Sequence, residues 1–342
     1  MKALKRLIPL ALALALLAGC AQGAGAGPSS SSAPAEEEVY VDRVVLGQIL
    51  IEDEPAPLSG APVALGGILL PEASGKQVKE SSRAVIDYSN AKDGYVMVKF
   101  TASTNKRLKA LVQGPSYATK KLQYSYDLKA GEWVTLPLSD GNGDYTVLVC
   151  ENTSGTKYAQ AVSQKFKVTL TDEFAPFIRP NQYVDYASAP KTVDKAKELV
   201  GKETDALKQV GIIYNFVVKN LTYDKQLAAT VQSGYLPVLD DVLANKKGIC
   251  FDYAALMTGM LRSLGVPCKL VTGYVPVDGG KMGYHAWISV WSEKTGWVEG
   301  AIYFDGTAWQ RMDPTFASTS KGSDTIMKYI GDGSNYSEKY IY

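Results

Sequence analysis

Histidine is nearly absent from this chain. There is one, His285, in 342 residues. One imidazole and four scattered cysteines do not supply the three or four closely placed ligands that zinc requires, so neither a metal nor another cofactor is expected. An excess of one charge is also missing. Lys and Arg number 36 against 35 Asp and Glu, which leaves no basic bias for nucleic acid as a partner. Long apolar runs are missing too, since "LIPLALALALLAG" at residues 7–19 is too short to span a bilayer comfortably. The rest of the composition, 46% hydrophobic and 21% charged, is that of an ordinary globular protein long enough for two domains.

The apolar run at the N-terminus follows the basic residues Lys2, Lys5 and Arg6 and ends in Leu17-Ala18-Gly19-Cys20. That pattern resembles the lipobox of bacterial lipoproteins. The resemblance implies a signal peptide over 1–19 and an acylated Cys20 as mature N-terminus. The protein would then be held at the cell membrane, on its extracytoplasmic face. Residues 20–38, rich in Gly, Ala, Ser, Pro and Glu, read as a flexible tether behind the lipid. Residues 39–80 hold short apolar runs, such as Val44-Val45-Leu46 and Ile68-Leu69-Leu70, broken by Pro and Gly. They read as strand or irregular.

From residue 81 to 180 the hydrophobic period is two. "YVMVKFTA", "LKALVQG", "LQYSYDL", "EWVTLPL", "YTVLVCE" and "AVSQKFKVTL" are short alternating runs at the spacing of a β-sandwich. "GDYTVLV", residues 143–149, resembles the tyrosine-corner region of immunoglobulin-like domains. No second cysteine is available to pair with Cys150 across the sheets, which excludes the antibody-type disulfide. Asp140, Asn142, Asp144 and Glu151 fall at calcium-loop positions, but Tyr145 stands where the sharp-turn glycine belongs, so a Gly-rich hairpin turn is expected there.

Beyond residue 185 the pattern changes to helices followed by strands, an α+β arrangement. Helical spacing runs from Lys195 to Leu221 with a break at Gly201, and again over Pro237 to Ala244. A third helix starts at Cys250 and stops at Gly265-Val266-Pro267. Strands are expected at 268–277, 284–291, 296–303 and 309–315, with a turn at Gly279-Gly280. On the second of these strands His285, Trp287, Ser289 and Trp291 share a face; on the last, Trp309, Arg311 and Asp313 do. Trp287, Trp291, Trp297 and Trp309 suit either aromatic packing of a small sheet or a shield against water.

Cys250 would sit in the first turn of its helix, where free N–H groups and the helix dipole favour a thiolate. A nucleophilic thiol needs a base, and the base needs an acceptor that fixes its tautomer. His285 and Asp313 offer both, 35 and 28 residues further along in turn. Singly, each has an ordinary structural explanation; together and in this order they point to catalysis.

Gly248-Ile249-Cys250-Phe251-Asp252-Tyr253-Ala254-Ala255-Leu256, Leu264-Gly265-Val266-Pro267, Val271-Thr272-Gly273-Tyr274, His285-Ala286-Trp287 and Asp313-Pro314-Thr315 resemble the transglutaminase-like superfamily of papain-like thiol enzymes. Asn220-Leu221-Thr222-Tyr223-Asp224 is similar to that family's segment before the catalytic helix. The resemblance implies a transglutaminase-like domain over 185–342, with helices packed on an antiparallel sheet behind the immunoglobulin-like sandwich. It assigns Cys250 as nucleophile, His285 as general base and acid, and Asp313 as orienting carboxylate. The Cys250 N–H and Tyr223 would be the oxyanion donors. Cys268 departs from the pattern, where a larger polar residue is expected. The implied activity is thiol acyl transfer or hydrolysis on a protein or peptide. The alternative is a lipid-anchored peptide- or cell-wall-binding protein that keeps the fold without catalysis.

Overall fold

Alternating apolar residues between positions 84 and 168 assemble two antiparallel sheets. A computed structural model describes residues 39–40, 68–277, 281–291, 295–298, 302–305, 309–319 and 335–342. The expected signal peptide, Cys20, the tether, the run at 44–46 and the Gly279-Gly280 turn lie outside the described residues, as do the side chains of Trp297 and Trp309. Strands β1 (Val39–Tyr40), β9 (Lys157–Val168), β8 (Gly143–Ser154), β5 (Leu108–Gln113) and β6 (Tyr124–Leu128) form one sheet in that spatial order. Strands β2 (Val78–Glu80), β3 (Ala84–Asp87), β4 (Tyr95–Phe100) and β7 (Trp133–Pro137) form the other. Val96, Val98 and Phe100 of β4 join Ala110 and Val112 of β5, Tyr126 of β6 and Val147 and Val149 of β8 in one hydrophobic cluster. Burying each such side chain contributes about 1.5–3 kcal/mol.

The stretch 139–142 is a turn, as its glycine suggests, but not a hairpin. It joins β7 of one sheet to β8 of the other. The four residues at calcium-loop positions are used otherwise. Asp140 accepts from the backbone N–H and hydroxyl of Ser116, each at 2.6 Å, while Asn142 accepts from the Leu170 N–H at 2.7 Å. Asp144 lies within β8, and Glu151 pairs with Arg83 at 2.7 Å. The Tyr145 hydroxyl, at the start of β8, donates to the carbonyls of Gly141 and Leu138 at 2.9 and 3.2 Å.

The helical region begins with α1 (Pro190–Val200), opened by proline at its first position, and α2 (Ala206–Asn220), capped by Asp205 accepting from the N–H groups of Leu207 and Lys208. Short strand β10 (Thr222–Tyr223), α3 (Lys225–Thr230), α4 (Leu239–Asn245) and β11 (Lys247–Gly248) lead to α5 (Cys250–Ser263). Helix α5 is buried on nearly every side, so it is a central helix with no solvent stripe. Its polar residues survive burial because each has partners. Arg262 donates to the carbonyls of Cys268, Arg179 and Tyr342 at 2.9, 2.9 and 2.6 Å, tying the helix to the chain entering from the sandwich.

A four-stranded antiparallel sheet packs on α5. Its order is β16 (Trp309–Met312), β13 (Lys281–Trp291), β12 (Cys268–Val277) and β17 (Ser337–Ile341). The run expected as one strand at 296–303 is instead two, β14 (Thr295–Val298) and β15 (Ile302–Asp305), paired antiparallel with each other. The last expected strand stops at Met312. Asp313-Pro314-Thr315 opens α6 (Pro314–Thr319), because an acidic cap followed by proline starts a helix as readily as it ends a strand.

Candidate active site

Parallel pairing of β10 with β11 brings the Asn220–Asp224 segment beside the approach to Cys250, with Tyr223 opposite Gly248. Asp224 caps α3 by accepting from the Leu227 N–H at 2.9 Å and pairs with Lys247 at 3.0 Å, which fixes the ladder from outside. Cys250 is the first residue of α5 and is buried. Asp252, two residues on, accepts from the Ile249 N–H and from the Tyr235 hydroxyl, both at 2.7 Å. One of the helix's orphan donors is thereby satisfied and the first turn held. Gly248 is required at this corner, since a Cβ there would overlap the Asp252 side chain.

Strand register then sets the second and third residues. β13 and β16 pair Ser289 with Arg311 and Ile288 with Met312. One residue further, Asp313 stands across from Trp287 and diagonal to His285 on the same face. His285 Nε2 lies 2.6 Å from Asp313 Oδ2, and both side chains are fully buried. Asp313 Oδ1 accepts from the Phe316 N–H at 2.9 Å, and Oδ2 also accepts from the Tyr336 hydroxyl at 2.9 Å. A carboxylate only accepts, so Nε2 carries the proton and Nδ1 the lone pair. Nδ1 is buried and has no hydrogen-bond partner among the described residues.

Helix α6 ties the imidazole to the start of α5. Its Phe316 ring stacks on the imidazole at 4.6 Å and 18°. Its Ser318 hydroxyl donates to the Leu221 carbonyl at 3.2 Å, next to β10, and lies 3.4 Å from the Tyr253 hydroxyl. Tyr253 is one turn from Cys250. The fold thus gathers the first turn of α5, His285, Asp313 and Tyr223 into one region. Cys20 lies outside the described residues.

The other two described thiols are placed differently. Cys268 is buried, lies 3.5 Å from the Thr258 hydroxyl, and is pushed up to about 11, chiefly by burial. Cys150 packs with Leu111, Leu148 and Tyr158, and burial pushes it up to about 12. Neither is poised as a thiolate. No local pattern marked Tyr336, 23 residues past Asp313, or Phe316 as the imidazole's stacking partner, or Tyr235 as the partner of Asp252.

Known proteins resemble part of this chain. The family model of the transglutaminase-like superfamily matches residues 193–314. A human protein-glutamine gamma-glutamyltransferase 4 is 27% identical over 128 residues, covering 29% of this chain and 18% of that protein. An uncharacterised Mycobacterium leprae protein is 27% identical over 132 residues, covering 36% of this chain and 44% of that one. The chain therefore spans less than half the length of either curated relative. Red sea bream transglutaminase is a structural neighbour at TM-score 0.29 and 16% identity, covering 67% of this chain and 49% of that one.

Proposed function

Starting from a chain whose residues 193–314 form a transglutaminase-like superfamily domain, we propose that it is a thiol acyl-transfer enzyme acting on a carboxamide or amide of a protein or peptide. The observation that carries the reading is the buried His285–Asp313 pair, whose Nδ1 is left with a bare lone pair. In this reading His285 Nδ1 takes the Cys250 thiol proton, and Asp313 stabilises the resulting imidazolium. The thiolate adds to the substrate carbonyl, and the oxyanion is met by the Cys250 N–H and Tyr223. Collapse breaks the C–N bond, the imidazolium gives its proton to the leaving ammonia or amine, and a Cys250 thioester remains. A primary amine then gives a new amide, or water gives the acid, with His285 again accepting the proton. Either way the thiol is regenerated.

Two further assignments belong to this proposal. Cys20 carries the lipid that holds the enzyme at the extracytoplasmic face of the membrane. The sandwich is of immunoglobulin type, supported by its strand order and by the Tyr145 corner, and serves as a spacer. To test the reaction, the protein is incubated with glutamine-containing peptides and a fluorescent primary amine, and ammonia release, amine incorporation and peptide cleavage are followed. Turnover in at least one of these, absent in Cys250→Ala, supports the proposal. No turnover and no covalent Cys250 adduct with an activated thiol probe would refute it.

A further inference from the structure

The site includes a group beyond the stretch that matches the family. We propose that Tyr336 is a positioning residue of this active site, which through Asp313 sets how strongly the His285 imidazole holds its proton. The inference rests on the Cys250–His285–Asp313 reading for the importance of that imidazole.

Asp313 Oδ2 accepts twice, from His285 Nε2 at 2.6 Å and from the Tyr336 hydroxyl at 2.9 Å. Two donors on one oxygen share its charge, so the phenol draws negative charge away from the imidazole's acceptor. The phenol also closes the third side of a carboxylate whose other oxygen is held by the Phe316 N–H. Asp313 then has no rotation open to it that keeps all three bonds. Tyr336 is itself held in place. Its ring stands edge-on to Trp287 at 4.9 Å and to Phe316 at 6.5 Å, with the Arg311 guanidinium 4.7 Å from its centre. It is buried, and β17 follows it directly. β17 reaches this position because Gly273 of β12 has no side chain, and a Cβ there would overlap the Ser337 carbonyl oxygen.

Among the described residues, few ionisable groups stand on the elements around the pair. Arg311 comes from β16. Tyr214 comes from α2, its phenol pushed up first by burial and then by the Asp313 charge. Cys250 and Tyr253 come from α5. Tyr274 of β12 and Tyr284 of β13 are register partners and pack on each other, on the opposite face from His285. On β17, Glu338 pairs with Gly273, and Lys339 lies over the Tyr274 and Tyr340 rings. The Tyr336 hydroxyl donates to the same Asp313 oxygen that the imidazole uses.

A chain with one histidine allows a direct test. Tag-free protein gives a single imidazole, whose titration is followed by NMR without substrate. Tyr336→Phe removes one oxygen and keeps the ring contacts, and the imidazole midpoint should move upward by about half to one pH unit as Asp313 regains charge. Placing 3-fluorotyrosine, a stronger donor, at position 336 should move the midpoint downward, and this arm decides the matter if the Phe variant does not fold. In an Asp313→Asn background, Tyr336→Phe should leave the midpoint where Asp313→Asn alone puts it. An unchanged or lowered midpoint in Tyr336→Phe, an unchanged or raised one with 3-fluorotyrosine, or an equal shift in the Asn background would overturn the proposal. Because the midpoint is read without turnover, failure of the acyl-transfer reading and failure of this one are distinguishable.

Discussion

At Asp313 one carboxylate serves as helix cap, tautomer lock and counter-charge, so its substitution separates roles that Cys250 and His285 do not share. In the proposed reaction Cys250 bonds to the substrate and His285 moves its proton, so Cys250→Ala and His285→Ala should each take acyl transfer to background. Asp313→Asn keeps an acceptor in place and should lose a smaller though large factor, on the order of 10³–10⁴. Steady-state rates of the three variants give the ordering, and His285→Ala with full turnover would reduce the triad to packing. Asp252 makes a prediction about stability. Burial is the largest cause of its raised carboxyl and outweighs the bonds from Tyr235 and Ile249 that lower it. A carboxyl raised in the folded state keeps its proton longer there, so its contribution is present at low pH and is lost as pH rises from the ordinary carboxylate range through the raised value. Asp252→Asn lacks this slope. Urea unfolding at several pH values between about 4 and 7 should therefore show the variant gaining on wild type as pH rises. Residues of this kind divide by legibility. Cys250 and His285 stood out because cysteine and histidine are scarce in this chain, and Asp313 because it follows them in the order Cys, His, Asp. Tyr336 did not, because one of 21 tyrosines carries no such mark.

Elements were readable where one periodicity acted alone. The strands of the sandwich, the break at Gly201 and the start of α5 at Cys250 all follow from local pattern. The pattern failed where a tertiary contact decided. The run 296–303 looks like one strand but folds back as β14 and β15, and Asp313-Pro314 begins a helix that only the Phe316 N–H and Leu221 carbonyl contacts make evident. β17 was not anticipated, since "SEKYI" alternates too weakly to be distinguished from a tail. Its docking depends on Gly273, where an added Cβ would also stand 2.8 Å from the Trp287 indole and 3.0 Å from the Glu338 Cα. Gly273→Ala should therefore separate β17 from β12 and cost about 1–3 kcal/mol or more, measured by urea unfolding. A variant as stable as wild type would mean that this approach is looser than the structure has it.

For the whole molecule, the sandwich and the helical region share one hydrophobic cluster, reinforced by Tyr124 and Tyr126 of β6 against Tyr342, which follows β17. The sandwich thus braces the same C-terminal segment that delivers Tyr336. Neither connection was legible in sequence, because tyrosines more than 200 residues apart signal nothing by spacing. The proposed anchor is tested at this scale. Two or more acyl chains at ~0.8 kcal/mol per buried CH₂ hold a protein far better than one. In a lipoprotein-processing host, Cys20→Ala should move the protein from the membrane fraction to the soluble one, and equal retention would refute the anchor. The central claim, that Cys250 is a thiol activated by His285, is tested most directly by iodoacetamide labelling near neutral pH with peptide mapping of all the cysteines. Cys250 should label first, ahead of Cys150 and Cys268, whose burial holds them as thiols, and its rate should fall by about tenfold or more in His285→Ala. Faster labelling at Cys268, or an unchanged Cys250 rate without the imidazole, would contradict the account.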